Sequence, residues 1–457
     1  MGPKGTARGM FMPPPGRCRR GGRPLWHQRT STSKGGAMFD LQCPKGWRMV
    51  TLSDLGEVNR GRSRHRPRYA EHLYGGPYPF IQTGDIKAAR GRITEHTQTY
   101  SEAGLAQSRL WPAGTMCITI AANIAETALL TYPACFPDSV IGFIADESKG
   151  ADGLYIEYVF RQLRERIQGI TTKTGTAQDN INLEFLERLR FPVPPLPRQR
   201  VIAGVLGALD DKIEVNRRMA RTLEAAARAL FESWFVRFEH PGGKAPAPRL
   251  VESLMGPIPE GWTVRPLDTI ARFLNGLALQ KFPPKDGEPT LPVIKIAQLR
   301  KGDTVGADQA NTEIAADYVV SDGDMLFSWS GSLECVLWTG GPGALNQHLF
   351  KVTSTEFPQW FVYLWVQQHL PEFRHIAAAK ATTMGHIQRH HLTNALVAVP
   401  PAKVLAEMGR TLGPMIEAIP YRMIEARTLA AMRDSLLPRL ISGELEIPAA
   451  MLKEAAR

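Results

Sequence analysis

Three clusters of hydrogen-bond donors carry most of the chemistry open to this 457-residue chain. The first holds Arg60, Arg62, Arg64, Arg66 and Arg68, with His65 among them and Tyr69 and Tyr74 close behind. Arginine forks fit both phosphates and guanine edges, and tyrosines pack on sugars or donate to phosphate. The second is the basic turn Lys87, Arg90 and Arg92; the third is Lys173, Thr174, Thr176 and Gln178 in a glycine-containing loop. Each has an answer farther along: Lys281 and Lys285 beside Gln280, then Arg300 and Lys301, then Lys380, Thr382, Thr383, His386 and Arg389. Short neutral donors mixed with cationic ones suit a surface that positions phosphates and reads bases. A charged loop is the plainer reading of the first and third clusters, and neither assigns one side chain to a base edge.

Catalytic patterns are missing by comparison. There is no GxGxxG or GxxxxGK phosphate cradle, no HExxH and no GxSxG. Asp138 followed by Glu147-Ser148-Lys149 resembles the acid-and-lysine pattern of metal-dependent nucleases, but such tokens are common in surface turns, and the second half has no counterpart. His386 and His390 stand at metal-ligand spacing if helical, yet no cysteine or carboxylate joins them to close a site. The five cysteines (Cys18, Cys43, Cys117, Cys135, Cys335) form no CxxC pair, which suits a reducing cytosol. No uncharged apolar run is long enough to span a membrane.

The net charge of +11 invites a nucleic-acid partner, but residues 1–37 hold eight basic and no acidic residues, leaving +3 for everything after them. Clustering, not net charge, must carry that reading. The basic, Gly- and Pro-rich residues 1–43 are expected to be a disordered extension, with translation from near Met38 or an arm touching phosphates as alternatives.

The elements that would hold these clusters come in two copies. Pro44-Lys45-Gly46-Trp47 recurs as Pro259-Glu260-Gly261-Trp262. After each opening the pattern predicts a short helix (Leu52 to Gly61, Leu267 to Gly276) and then strands. The strands expected are Pro79–Gln82 with Gly84–Ile86, and Pro292–Lys295 with Ala297–Leu299. Further on, Trp111–Met116 answers Val320–Met325, each opening a β-run, and Thr171–Gln178 answers Ala379–His386. Phe191–Pro195 then answers Val397–Pro401, so six landmarks recur in one order with an offset drifting from 215 to 206 residues. That order marks a duplication.

Each half ends in a long helix. Ile202, Leu206, Leu209, Ile213, Asn216, Ala220, Leu223, Ala227, Leu230 and Trp234 alternate steps of four and three, a coiled-coil seam in which Asn216 would pin the register. The second seam includes Leu412, Ile416, Ile419 and Met423, with Arg433 as its charged interruption. Pro414, Pro420 and Pro438 predict a bend or restart there. The fold expected is α/β (α+β): two similar globular domains related by a pseudo-two-fold repeat, their helices packed as an antiparallel coiled coil. Two ordinary helices on one core are the alternative. The boundaries expected are domains at 44–195 and 259–401, helices at 196–238 and 402–442, a linker at 239–258 and a tail at 443–457.

At this level of detail the chain resembles the specificity subunits of type I restriction-modification systems. The resemblance rests on the two Gly-Trp openings, the segment Pro195–Phe238 and the tail Met432–Leu445, and spans roughly residues 44–447. It implies two target recognition domains, each gripping half of a bipartite site in double-stranded DNA, with paired helices as a ruler between them. It implies two methyltransferase subunits that use S-adenosylmethionine on adenine, and restriction subunits adding cleavage with ATP and Mg. It implies no catalytic residue, metal or cofactor in this chain, a cytoplasmic location and no membrane. It places Asp210, Asp211, Lys212, Asn216, Arg217, Arg218, Ser233, Trp234 and Phe235 in helical stretches that pack internally and dock the methyltransferase. A coiled-coil scaffold for a protein-only assembly is the rival of a different class, and a nuclease or fused methyltransferase the enzymatic one.

Overall fold

The computed structural model describes residues 41–173, 181–239, 249–379 and 385–455. The extension before residue 41, residues 240–248 of the expected 239–258 linker, and Thr174, Thr176, Gln178, Lys380, Thr382 and Thr383 lie outside the described residues. The chain divides into two compact units, one running to Gly207 and taking in Asp434–Arg457, the other Ala208–Arg433. Each unit therefore combines a globular domain, the start of the helix that follows it and the end of the other long helix. The limits between these compact units fall inside the two long helices.

The first unit contains β1 (Arg48–Val50), β2 (Gly56–Arg60), β3 (Tyr74–Phe80), α1 (Thr83–Ala88), β4 (Arg92–Ile93), β5 (Gln98–Tyr100) and α2 (Glu102–Ala106). It continues with β6 (Met116–Thr119), β7 (Thr127–Leu130), β8 (Val140–Ala145), α3 (Gly153–Lys173), α4 (Leu183–Arg188) and β9 (Phe191–Val193), and α5 (Leu196–Phe231) starts in it. Its main sheet has the order β2-β8-β6-β7-β4, flanked by the pairs β1-β9 and β3-β5.

The second unit follows the same plan. It contains β10 (Leu250–Val251), β11 (Ile258–Pro259), β12 (Thr263–Pro266), α6 (Leu267–Ile270), β13 (Arg272–Asn275), β14 (Thr290–Ile294), α7 (Ile296–Lys301) and β15 (Gln309–Asn311). Then come β16 (Val319–Val320), β17 (Met325–Ser328), β18 (Cys335–Leu337), β19 (Gly343–Leu345), β20 (Leu349–Thr353), α8 (Gln359–Ala379), α9 (Arg389–Asn394) and β21 (Leu396–Val399). Next, α10 (Ala402–Ile441) begins in this unit, and α11 (Ala449–Ala455) lies in the stretch that belongs to the first. The sheet β13-β20-β17-β18 matches β2-β8-β6-β7, and β12-β21 matches β1-β9.

Each core is built where a domain helix meets both long helices. In the first unit Tyr155, Ile156, Val159 and Phe160 of α3 share one cluster with Ile118, Phe143, Ile202, Leu206, Leu437 and Leu440. In the second, Phe361, Leu364 and Trp365 of α8 share one with Phe327, Ala220, Ala227, Phe231, Leu412, Ile416 and Ile419. Fully burying a side chain of this size contributes roughly 1.5–3 kcal/mol, so these seams hold the helices in place. Asn216 of the seam is fully buried, and its amide has no hydrogen-bond partner among the described residues. Arg433 is no stray charge, because it meets Asp210 of α5, with both side chains mostly buried. Lys212 and Glu425 pair at 3.6 Å, so within the second unit residues 210 and 212 of α5 meet 433 and 425 of α10. Higher numbers on one helix face lower numbers on the other, as antiparallel helices require.

Several expectations need correction. α10 is one unbroken helix through Pro414, Pro420 and Pro438, because the buried contacts of Leu412, Ile416 and Ile419 offset the hydrogen bonds that proline removes. Gly84–Ile86 and Ala297–Leu299 are helical, not strands. A short run with one buried apolar residue fits either state, and here Asp85 and Gln298 accept from the backbone N–H groups of Gln82 and Lys295 and cap a helix. The predicted helix Leu52–Gly61 is a turn followed by β2, and Leu267–Gly276 is a single helical turn followed by β13, because both strands are claimed by antiparallel partners, β8 and β20. Leu41, placed in the extension, is buried in the first core, and the tail packs there through Leu445 and Ile447.

Candidate nucleic-acid interface

The Gly-Trp openings act as scaffold. Gly46 and Gly261 take positive φ (83° and 86°), which lets Trp47 and Trp262 bond back to the carbonyls of Pro44 and Pro259. Trp262 packs edge-on against Phe238 at 5.5 Å. Gln199, in the segment that carries the resemblance, is fully buried and fixes the first turn of α5 to its domain. It donates to the carbonyls of Gly150 and Pro194 and accepts from the N–H of Asp152. In the second unit Arg427 of α10 bonds Asp322 through both terminal nitrogens, at 2.9 and 2.6 Å. Burial pushes the Asp322 carboxyl up, but Arg427 and the Gly341 N–H hold it below the ordinary value.

Two further devices recur at matched positions and shape the surface between strands. The buried hydroxyl of Thr119, at the end of β6, donates to the carbonyl of Asn123 and accepts from the N–H of Glu126. Ser328, at the end of β17, does the same with Ser332 and Glu334. Each loop is also tied to the domain helix: Gln168 donates to the carbonyl of Ile124 and Arg374 to that of Leu333. Gly61 and Gly276, each just after the first strand of its sheet, pass so near the chain that a Cβ would lie 2.3 and 2.2 Å from the carbonyl oxygens of Pro137 and Asn346.

On this scaffold the first cluster is partly bound up and partly free. Arg60 donates to the backbone carbonyl of Asp138, and Arg68 pairs with its carboxylate at 2.9 Å. Arg66 turns inward to the carbonyls of Ser63 and His65. Arg62 and Arg64 are exposed, and their side chains have no partner among the described residues. Tyr69 is 78% exposed, whereas Tyr74 donates to the Arg68 carbonyl, and burial together with Tyr100 pushes its phenol up to about 12. In the second cluster Lys87 donates to Asn123 of the latched loop at 3.1 Å, Arg90 is exposed and Arg92 half-buried. Lys173 closes α3.

The matching cations of the second unit are arranged differently. Lys281 and Arg300 are exposed. Lys285 pairs with Glu313 at 2.6 Å and Lys301 with Asp303 at 3.0 Å, so local acids cancel the positive patch expected of these two lysines. Exposed pairs are worth little and can exchange with phosphate, but they give no net attraction at a distance. His386 does not share a helix face with His390: it bridges to Ser330, while His390 lies in α9. Among the described residues no group of three His, Cys, Asp or Glu could hold a metal. Asp138, the acid of the nuclease-like pattern, is held by Arg68, and Glu147 by Arg200 at 3.0 Å. No described helix is long and apolar enough to cross a membrane.

The sequence reading missed a neutral cluster in the second unit. Trp329 follows β17, and its indole N–H donates to the Oδ1 of Asn275 at 2.9 Å and to the carbonyl of Gln347 at 3.1 Å. The nearly buried Ser330 hydroxyl bonds His348 at 3.0 Å, and the Trp329 ring lies 5.6 Å from His348 and 6.4 Å edge-on from His386. Arg389 stands over Phe350 and bonds the carbonyl of Phe273. The signal available was the offset of 209 residues at Met116 and Met325, which sets Asn346-Gln347-His348 opposite Pro137-Asp138-Ser139.

The halves of this duplicated α/β chain share strand order, loop latches and helix anchors but differ in their exposed donors. Comparison with known proteins gives similarities to one family. Residues 44–225 match the type I restriction modification DNA specificity domain. The chain is 26% identical to the type I restriction enzyme MjaIX specificity subunit of Methanocaldococcus jannaschii, over 88% of this chain and 94% of that one. It is 20% identical to the HindI specificity subunit of Haemophilus influenzae, over 64% of this chain and 77% of that one. The fold is shared with the crystal structure of the S subunit of a type I restriction-modification system from M. genitalium, at a TM-score of 0.52 and 15% identity over 88% of this chain and 98% of that one. Over most of its length the chain is thus similar to specificity subunits of type I restriction-modification systems.

Proposed function

We propose that this chain is the non-catalytic recognition subunit of such a complex, reading a bipartite double-stranded DNA target with one domain per half-site. The observation that carries this reading is the pair of domains with one scaffold and two different sets of exposed donors. One small domain offers a limited footprint; two held at a fixed spacing add their contacts and reject wrongly spaced sites. The exposed Arg62, Arg64 and Arg90 suit phosphate contacts in the first half-site. In this reading α5 and α10 set the spacer and dock two methyltransferase subunits, which bind S-adenosylmethionine and act on adenine. Restriction subunits add ATP- and Mg-dependent cleavage, all of it in the cytoplasm.

The test lengthens the helices. Inserting four residues into α5 and four at the opposing level of α10 adds about 6 Å of helix, or roughly two base pairs. Methylation mapping in cells expressing this chain with its methyltransferase is expected to show both half-sites unchanged and the spacer longer. Altered half-sites with the original spacer would sink the ruler.

A further inference from the structure

We propose that Arg60 and Asn275 are equivalent specificity-determining positions, each presenting fixed hydrogen-bond donors to a base edge in its own half-site. This rests on the reading of the chain as a bipartite DNA reader.

Three observations place the two residues together. Each ends the edge strand of its sheet, β2 or β13, directly before a glycine that the neighbouring backbone forbids to become anything larger. The register agrees: Arg60 lies opposite Ile141 and Asn275 opposite Phe350, positions separated by the offset of 209 residues that relates β8 to β20. Both are exposed, so neither is held there by a core.

The same backbone carbonyl holds both side chains, by different means. In the first unit the carbonyl of Asp138 accepts from Nε of Arg60. The matching carbonyl, that of Gln347, accepts from the indole N–H of Trp329, which also donates to Asn275. An indole nitrogen can only donate, so the amide of Asn275 must turn its oxygen inward and its NH2 group outward. Arg60, with Nε engaged, keeps its two terminal nitrogens, which among the described residues have no partner. A guanidinium fork matches the O6 and N7 acceptors of guanine, whereas a single outward amide matches one acceptor, such as a purine N7 or thymine O4. Preorganisation lets such donors discriminate, since little rotamer freedom is lost on binding. Different donors on one mount are what two readers of different half-sites need.

The experiment enriches a randomised duplex library on the full chain assembled with its methyltransferase subunit. Wild type is expected to select a bipartite motif; absence of any motif would overturn the DNA-reader reading itself. Asn275→Asp keeps an acceptor for Trp329 but replaces the outward donor by an acceptor, and is expected to change the preferred base pair at one position of one half-site. Asn275→Ala is expected to relax that position by roughly tenfold. Arg60→Ala is expected to relax one position of the other half-site by a similar factor. Changes in neither half-site, or in both at once from a single substitution, overturn the assignment. Thermal unfolding of each variant separates a misfolded domain from a lost contact.

Discussion

The two units are the same mount carrying different tools. Both use the order of four strands, the glycine pressed against a carbonyl, a buried strand-end hydroxyl and a helix side chain bonded to the following loop. What differs is exposed. The first unit presents Arg62, Arg64 and Arg90 without acid partners among the described residues, whereas Lys285, Lys295 and Lys301 of the second are paired with Glu313, Asp308 and Asp303. Beside these pairs the second unit sets Trp329, Asn275, Gln347 and His348 in a hydrogen-bonded cluster. Buried polar anchors are costly to lose and so persist through duplication, while exposed donors can diverge at little cost to stability.

The strongest way to break the comparison is at the glycines. A Cβ on Gly276 would meet the Asn346 carbonyl oxygen at 2.2 Å, and one on Gly61 that of Pro137 at 2.3 Å. In both cases the obstacle is backbone, which cannot rotate away. Gly276→Ala and Gly61→Ala are each expected to cost about 3 kcal/mol or more. Hydrogen exchange should show lost protection around β13 and β20 in the first variant and around β2 and β8 in the second. Equal loss in both units from one substitution would deny that each unit carries its own copy of this contact.

How much of this was legible depends on which property carried each feature. The duplication was readable because Gly46-Trp47 and Gly261-Trp262 need a glycine at positive φ, and the long helices because Ile202 to Trp234 keeps one period. The helical state of Gly84–Ile86 was not, since it turns on the capping carboxylate of Asp85. The continuity of α10 was hidden by three prolines whose cost is offset by contacts distant in sequence. In the candidate site, clustered charge pointed to Arg68, Lys285 and Lys301 alike but not to their partners, since Asp138 and Glu313 meet Arg68 and Lys285 only on folding and Asp303 meets Lys301 through a local turn. Asn275 escaped notice because its meaning depends on Trp329, 54 residues later.

A smaller effect sharpens the shared part. Thr119→Val and Ser328→Ala each remove a buried hydroxyl that both donates and accepts, leaving the amides of Glu126 and Glu334 without their partner. Each is expected to cost about 1–3 kcal/mol, read as a lower denaturant midpoint with unchanged slope. Similar costs would mark the latch as one device used twice; a cost confined to Ser328 would make it a private feature of the second unit.

The smallest effect belongs to a difference. His369 of α8 is largely buried, stacks on Trp365 at 5.8 Å and has its Nε2 2.9 Å from the Leu396 carbonyl, whereas α3 of the first unit carries no histidine. Burial is the main influence and lowers its pKa below the ordinary 6.5, although the Leu396 carbonyl and Glu372 act in the opposite direction. The neutral ring is therefore the folded form. Above the unfolded value neither state binds the proton, so this contribution is complete. As pH falls through about 6.5 the unfolded chain gains a proton that the folded one resists, and stability declines. Unfolding monitored by exchange in the second unit should weaken from pH 7 to pH 5, and His369→Gln should flatten that slope while the first unit's profile stays the same. An unchanged slope in the variant would assign the pH response to groups other than His369.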